Sequence, residues 1–185
     1  MENRIKTALL AVDGFEEVEG LTAVDLLRRA GIVCDIVSVS DSDVIVGSHG
    51  IRIGADVGFS EADFDGCDAL LLPGGRGTAA LREDGRVLRL VQEFYGDGRL
   101  VAAICAAPTV LGRAGILSGK KATCYPGMED QLTGAEVQTE KVVRDGNIIT
   151  SRGLGTAVDF ALAVIACLDS EEKAQAIAAK IVYAR

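Results

Sequence analysis

Short apolar runs alternate along this chain with longer stretches whose apolar positions recur every three or four residues. Residues 7–12 (TALLAV), 32–39, 69–72 (ALLL) and 100–104 (LVAAI) are runs of the first kind. Apolarity sustained over so short a length marks strands buried on both faces, as in a parallel sheet. Residues 16–30 are of the second kind: Glu16, Glu19, Ala23, Leu26, Leu27 and Ala30 fall on one helical face, and Gly31 follows as a stop. Residues 81–96, 156–168 and 170–183 read as further helices. Residues 44–53 read as a small hairpin around Ser48-His49-Gly50, residues 122–124 as a short strand, and residues 142–149 as a hairpin around Asp145-Gly146. Strands alternating with helices predict an α/β fold with a mostly parallel central sheet and helices on both faces, in a single domain over residues 1–185. Ligands of such sheets bind beyond the carboxyl ends of the strands. Three turns fall at such ends: Asp13-Gly14, residues 73–77, and Cys105.

The third turn orders the rest. Cys105 lies between the apolar run 100–104 and good helix material running from Ala106 through Leu111, where Pro108 suits a first turn. Ala103, Ala106 and Ala107 are small enough to let a strand end and a helix start approach closely. N–H groups at a helix start would favour a thiolate, the nucleophilic form of cysteine. The competing reading is a buried cysteine that serves as a small apolar residue.

The first turn carries Glu16, Glu17 and Glu19. Glu17 points off the apolar stripe and is expected to be solvated and dispensable. Glu16 shares the stripe but lies where the helix is only beginning. Glu19 belongs to the stripe, so burial should raise its pKa and fit it for acid–base work. Pro73-Gly74-Gly75-Arg76-Gly77 follows a strand. It is a plain turn, a phosphate cradle without the P-loop ending, or an oxyanion site built from backbone N–H groups. The turn at Gly153-Leu154-Gly155 reads as structural, with Leu154 as a candidate pocket wall.

Composition narrows the classes. A net charge of −8 argues against nucleic acid or an anionic membrane as partner. No apolar run is long enough to span a bilayer, and residues 1–6 do not read as a signal peptide. Five cysteines without a CxxC pair, together with the single His49, make a zinc site an unfavourable reading. Reduced thiols fit a cytoplasmic location.

Several blocks match a known family: DGFEEVE at 13–19, DLLRRAGI at 25–32, LLLPGG at 70–75, VAAICAAP at 101–108 and TSRGLGTAVDFALAV at 150–164. In this order they resemble the ThiJ/PfpI superfamily, in the branch of the parkinsonism-associated deglycase (DJ-one) and the YajL-like proteins. The resemblance implies a flavodoxin-like three-layer α/β sandwich that forms a homodimer. It makes Cys105 the nucleophile at a strand-to-helix elbow, Glu19 its carboxyl partner, and the N–H groups of Gly75 and Ala106 the oxyanion site. The superfamily's protease-like branch has a histidine directly after the elbow cysteine. Ala106 stands there, which disfavours a Cys-His peptidase. Better-known members often carry a histidine where this chain has Tyr125, and tend to carry an arginine where it has His49. Tyr125 and His49 are therefore candidates for the pocket and for moving a proton.

The implied activity is a glyoxalase III-type conversion of methylglyoxal or glyoxal to 2-hydroxy acids. It requires no cofactor and no metal, and protein deglycation would use the same attack on a glycated adduct. The rival from another class is a redox-sensing or stress-protective chaperone that uses an oxidisable Cys105. A small-molecule binding protein without turnover is a further alternative.

Overall fold

The computed structural model describes residues 4–183. In chain order the elements are β1 (Lys6–Ala11), α1 (Glu17–Arg29), β2 (Val33–Ser38), β3 (Val44–Val46), β4 (Arg52–Gly54), β5 (Val57–Gly58), β6 (Ala69–Leu72), α2 (Thr78–Glu83), α3 (Gly85–Gly96), β7 (Leu100–Ile104), α4 (Pro108–Arg113), β8 (Lys121–Ala122), β9 (Glu136–Val137), β10 (Val142–Asp145), β11 (Ile148–Ser151), α5 (Ala157–Leu168) and α6 (Glu171–Lys180).

Seven strands form one sheet in the order β10-β11-β7-β6-β1-β2-β5. All neighbours are parallel except β10, which pairs antiparallel with β11 through the Asp145-Gly146 turn. The apolar strands are continuous because alternate residues feed two cores. Leu9, Ala11, Leu71, Ala102 and Ile104 face α1, α5 and α6, where Leu27, Phe160 and Ile177 pack. Ala8, Leu10, Leu70, Leu72, Val101 and Ala103 face α3 and α4, where Phe94, Val110 and Leu111 pack. The result is the three-layer α/β arrangement expected from the sequence.

Some boundaries differ from the sequence reading. The helix expected over 81–96 is two helices, because Asp84 takes an extended conformation and its carboxylate accepts the Arg86 N–H at 2.8 Å, starting α3 afresh. The short strand expected over 122–124 covers only β8, which pairs with β9. The hairpin of β3 and β4 stands as predicted but outside the main sheet.

From β1 the chain crosses through α1 to β2 on one side, and β6 lies on the other side of β1. This is the topological switch point, where the loops after neighbouring strands diverge and leave a crevice. The turns after β1, β6 and β7 meet there.

Candidate active site

Cys105 ends β7 with a φ of 65°, one of three non-glycine residues with positive φ among those described. Such a conformation costs about 1–3 kcal/mol and persists only where the surroundings fix it. Here the Cys105 N–H donates to the Ser151 carbonyl at 2.9 Å, and the Tyr125 N–H donates to the Cys105 carbonyl at 2.8 Å. The bend turns the sulfur out of the sheet towards the N–H groups of Ala106 and Gly75, both of which pull its pKa down. The expected helix does follow, but α4 begins only at Pro108 and has six residues. Two individual N–H groups face the sulfur, rather than the field of a long helix.

Glu19 approaches from α1 and is 1% exposed. Its Oε2 accepts the Gly74 N–H at 2.9 Å, and its carboxyl interacts with the Cys105 thiol beside it. Residue 74 must be glycine: a Cβ there would lie 2.6 Å from the Cys105 Cβ and 2.7 Å from Glu19 Oε2. Burial raises the Glu19 carboxyl to about 7, with the hydrogen bonds from Cys105 and Gly74 opposing and the charge of Glu16 assisting. Burial, then the negative charge of Glu19 and its hydrogen bond, push the Cys105 thiol up to about 12, against the pull of the Ala106 and Gly75 N–H groups. The two groups thus resist carrying two negative charges together. With the proton on Glu19, the repulsion at sulfur disappears and the carboxyl O–H becomes a donor to it.

A cavity of about 620 Å³ opens over the sulfur, lined by Glu16, Ser48, His49, Gly75, Arg76, Cys105, Ala106, Tyr125 and Met128. It brings together the expected Cys105, Gly75, Ala106, Tyr125 and His49, with Glu19 beneath them. Leu154 is not among the lining residues. Its side chain is 50% exposed, and the turn instead presents its backbone at Gly153, where an added Cβ would lie 3.8 Å from Cys105 Sγ. Ser48, Arg76 and Met128 were not expected. The glycine turn draws attention to its backbone rather than to the Arg76 side chain, and Met128 follows Tyr125 on a loop with no pattern of its own.

Glu17 corrects the sequence reading most sharply. It is 2% exposed, not solvated. Residues 47–51, the loop between β3 and β4, fold over the start of α1 and enclose it. Glu17 Oε1 accepts the His49 N–H at 2.7 Å and the Ile51 N–H at 3.4 Å, and Oε2 lies 3.1 Å from His49 Nδ1. Burial alone would raise this carboxyl. The N–H groups of Glu17, His49 and Ile51 and the His49 ring outweigh burial and hold it at about 2. A Cβ at Gly47 would fall 2.2 Å from the Glu17 carboxyl carbon. The glycine inside the VIVGSHGI segment was the one signal in the sequence that something packs there.

Among the described residues, Glu16, Glu17 and His49 place three potential metal-ligand atoms within 4.8 Å of one another. A cation there would sit at the positive end of α1 and would compete with backbone N–H groups already bound to Glu17. The arrangement suits hydrogen bonding better than metal binding.

The chain is 40% identical to the Drosophila melanogaster protein dj-1beta over 183 residues, covering 97% of this chain and 98% of that one. It is 35% identical over 150 residues to a Pyrococcus abyssi protein named a deglycase, covering 80% of this chain and 90% of that one. The crystal structure of Drosophila melanogaster DJ-1beta superposes with a TM-score of 0.93 at 38% identity, covering 98% of this chain and 100% of that one. The pattern of the DJ-1/PfpI family matches residues 5–167, and with its elbow cysteine, buried glutamate and glycine turn in place, the chain belongs to the DJ-1/PfpI family.

Proposed function

We propose that this chain is a cofactor-independent cysteine enzyme that converts 2-oxoaldehydes such as methylglyoxal to 2-hydroxy acids, with protein deglycation as the same attack on a glycated adduct. The reading rests above all on one juxtaposition: a strained Cys105 whose sulfur faces two backbone N–H groups and a buried carboxyl that titrates at about 7. The name of the Pyrococcus relative supports the deglycase side of it.

The Cys105 thiol passes its proton to Glu19, the sulfur bonds to the aldehyde carbon, and the carbonyl pair moves to oxygen, which takes the proton back from Glu19 to give a hemithioacetal. The N–H groups of Gly75 and Ala106 bind that oxygen. Glu19 as carboxylate removes the proton from this carbon, giving an enediolate, and returns it to the neighbouring carbon. The hydroxyl proton passes from the first oxygen to the second, leaving a 2-hydroxy thioester on Cys105. Water cleaves the thioester to the acid and the free thiol. A carboxyl poised at about 7 can both take and give a proton at neutral pH. No electrons leave the substrate, so no redox cofactor is required.

The test is lactate formation from methylglyoxal without glutathione or added metal. Wild type should form lactate and Cys105→Ser should fall to the uncatalysed rate. Equal lactate from both would overturn the reading. The donors around the sulfur would also hold the oxygens of a sulfinate, which favours the redox-sensor alternative if wild type makes no lactate but Cys105 oxidises selectively.

A further inference from the structure

The imidazole of His49 lines the cavity from the loop between β3 and β4. Position 125 carries a phenol, and the only histidine stands at position 49, on the loop between β3 and β4. That loop is firmly held. The Gly47 N–H donates to the Ile51 carbonyl at 2.9 Å, and the Ser48 N–H to the Phe15 carbonyl at 2.8 Å. Ser48 Oγ donates to the Gly14 carbonyl at 2.6 Å, and Arg76 Nη2 donates to the Ser48 carbonyl at 2.5 Å. Glu17 accepts the His49 N–H from below and lies 3.1 Å from Nδ1, with Glu16 Oε2 at 3.7 Å. An ionised carboxylate can only accept, so Nδ1 carries the ring proton and Nε2 is left as the basic nitrogen. His49 shares its cavity with Cys105, Gly75 and Ala106.

We propose that His49 is the general base that releases product from Cys105, with Glu17 as the positioning residue that fixes its tautomer. The proposal rests on the thioester route given above, in which Glu19 is occupied with transfer between carbons. Nε2 takes a proton from a cavity water as its oxygen bonds to the thioester carbon. The carbonyl pair moves to oxygen, held by Gly75 and Ala106. The tetrahedral species then re-forms the carbonyl and breaks the C–S bond, and that pair leaves with the sulfur. The imidazolium returns its proton to the thiolate, so water and thioester become acid and thiol with nothing left over.

The experiment compares wild type, His49→Ala and Glu17→Gln in two readouts: steady lactate formation from methylglyoxal, and thioester trapped by hydroxylamine as the hydroxamate. The His49 side chain is 67% exposed, so its truncation leaves the core intact, and the rate of Cys105 alkylation checks the site. In His49→Ala, steady turnover should fall by roughly a hundredfold, the scale of a general base, while the first turnover persists and trapped thioester accumulates. Added imidazole should restore hydrolysis in proportion to its concentration. Glu17→Gln should also accumulate thioester, with a smaller fall. Wild-type turnover in His49→Ala, or a parallel loss of thioester formation and lactate, would overturn the role. Wild type that yields neither lactate nor hydroxamate would overturn the thioester route itself, a separate failure.

Discussion

Glu17 and Glu19 stand two residues apart on α1, both buried and each packed against a glycine, yet they are driven in opposite directions. Glu17 is held at about 2 and Glu19 is raised to about 7. Burial pushes both upward, but at Glu17 the donors outweigh it and at Glu19 they do not. Glu17 sits under a loop whose His49 and Ile51 N–H groups point at its oxygens, while Glu19 meets the Gly74 N–H and a thiol. The first pocket fixes a permanent charge that anchors the loop carrying His49. The second leaves a proton that can move. One helix turn thus carries both a carboxylate held ionised and a carboxyl raised to about 7, and the loops laid against it decide which is which.

The largest effect should come from removing the movable proton. Glu19→Gln keeps the shape and the acceptor for the Gly74 N–H but cannot exchange a proton, so turnover should fall by roughly a hundredfold or more. Its stability should respond in the opposite sense. Glu19 ionises at about 7 in the folded chain against an ordinary value of 4.5, so between these pH values the unfolded chain releases a proton that the folded one retains. Wild type therefore loses stability as pH rises from 4.5 through 7, and Glu19→Gln should not. Denaturant titrations at several pH values would check this. Equal pH slopes in the two proteins, or wild-type turnover in the variant, would reduce Glu19 to a neighbour of the sulfur.

A smaller effect of opposite sign is expected at Glu17. Its folded value of about 2 lies below the ordinary 4.5, so its contribution is complete above 4.5 and is lost as pH falls towards 2. Glu17→Gln should lower stability at neutral pH by about 2 kcal/mol, the scale of hydrogen bonds to a charged group, and flatten the acid limb over that window. An acid limb identical to wild type would mean that the loop N–H groups do not hold the charge.

The smallest effect is expected at Tyr125. Its side chain is 52% exposed at the rim of the cavity, so Tyr125→Phe removes a hydroxyl from the solvent-facing wall. Turnover measured on methylglyoxal should change far less than the roughly hundredfold expected of a proton-transfer group. A loss of that size would give the phenol the role assigned to His49.

Much of the fold was legible because its signals are local. The strands read as apolar runs since alternate side chains enter two cores, and α1 read as a stripe with a glycine stop. Cys105, Glu19 and the glycine turn were legible for the same reason: each sits at the end of an element whose period is visible. The split at Asp84 is not legible in the sequence because one side-chain hydrogen bond is enough to restart a helix. Leu154 was placed on a pocket wall because a turn gives no indication of which of its atoms faces inward.

Glu17 marks where the sequence stopped being sufficient. Helical periodicity decides which face of α1 meets the sheet, and by that rule Glu17 points away from it. It cannot foresee a loop more than 30 residues later folding over that outer face with N–H donors aimed at a carboxylate. By itself the sequence determined the order of the main strands and helices, the position of Cys105 at a strand end, and the carboxyl of Glu19 on the inward stripe. Each depends on neighbours within one or two turns of chain. The tertiary structure alone decided the opposite pKa shifts of Glu17 and Glu19, the hydrogen bonds of His49, and the convergence of His49, Arg76 and Tyr125 on the cavity that holds Cys105. Those depend on electrostatic and hydrogen-bonding contacts between segments distant along the chain, which no local pattern records.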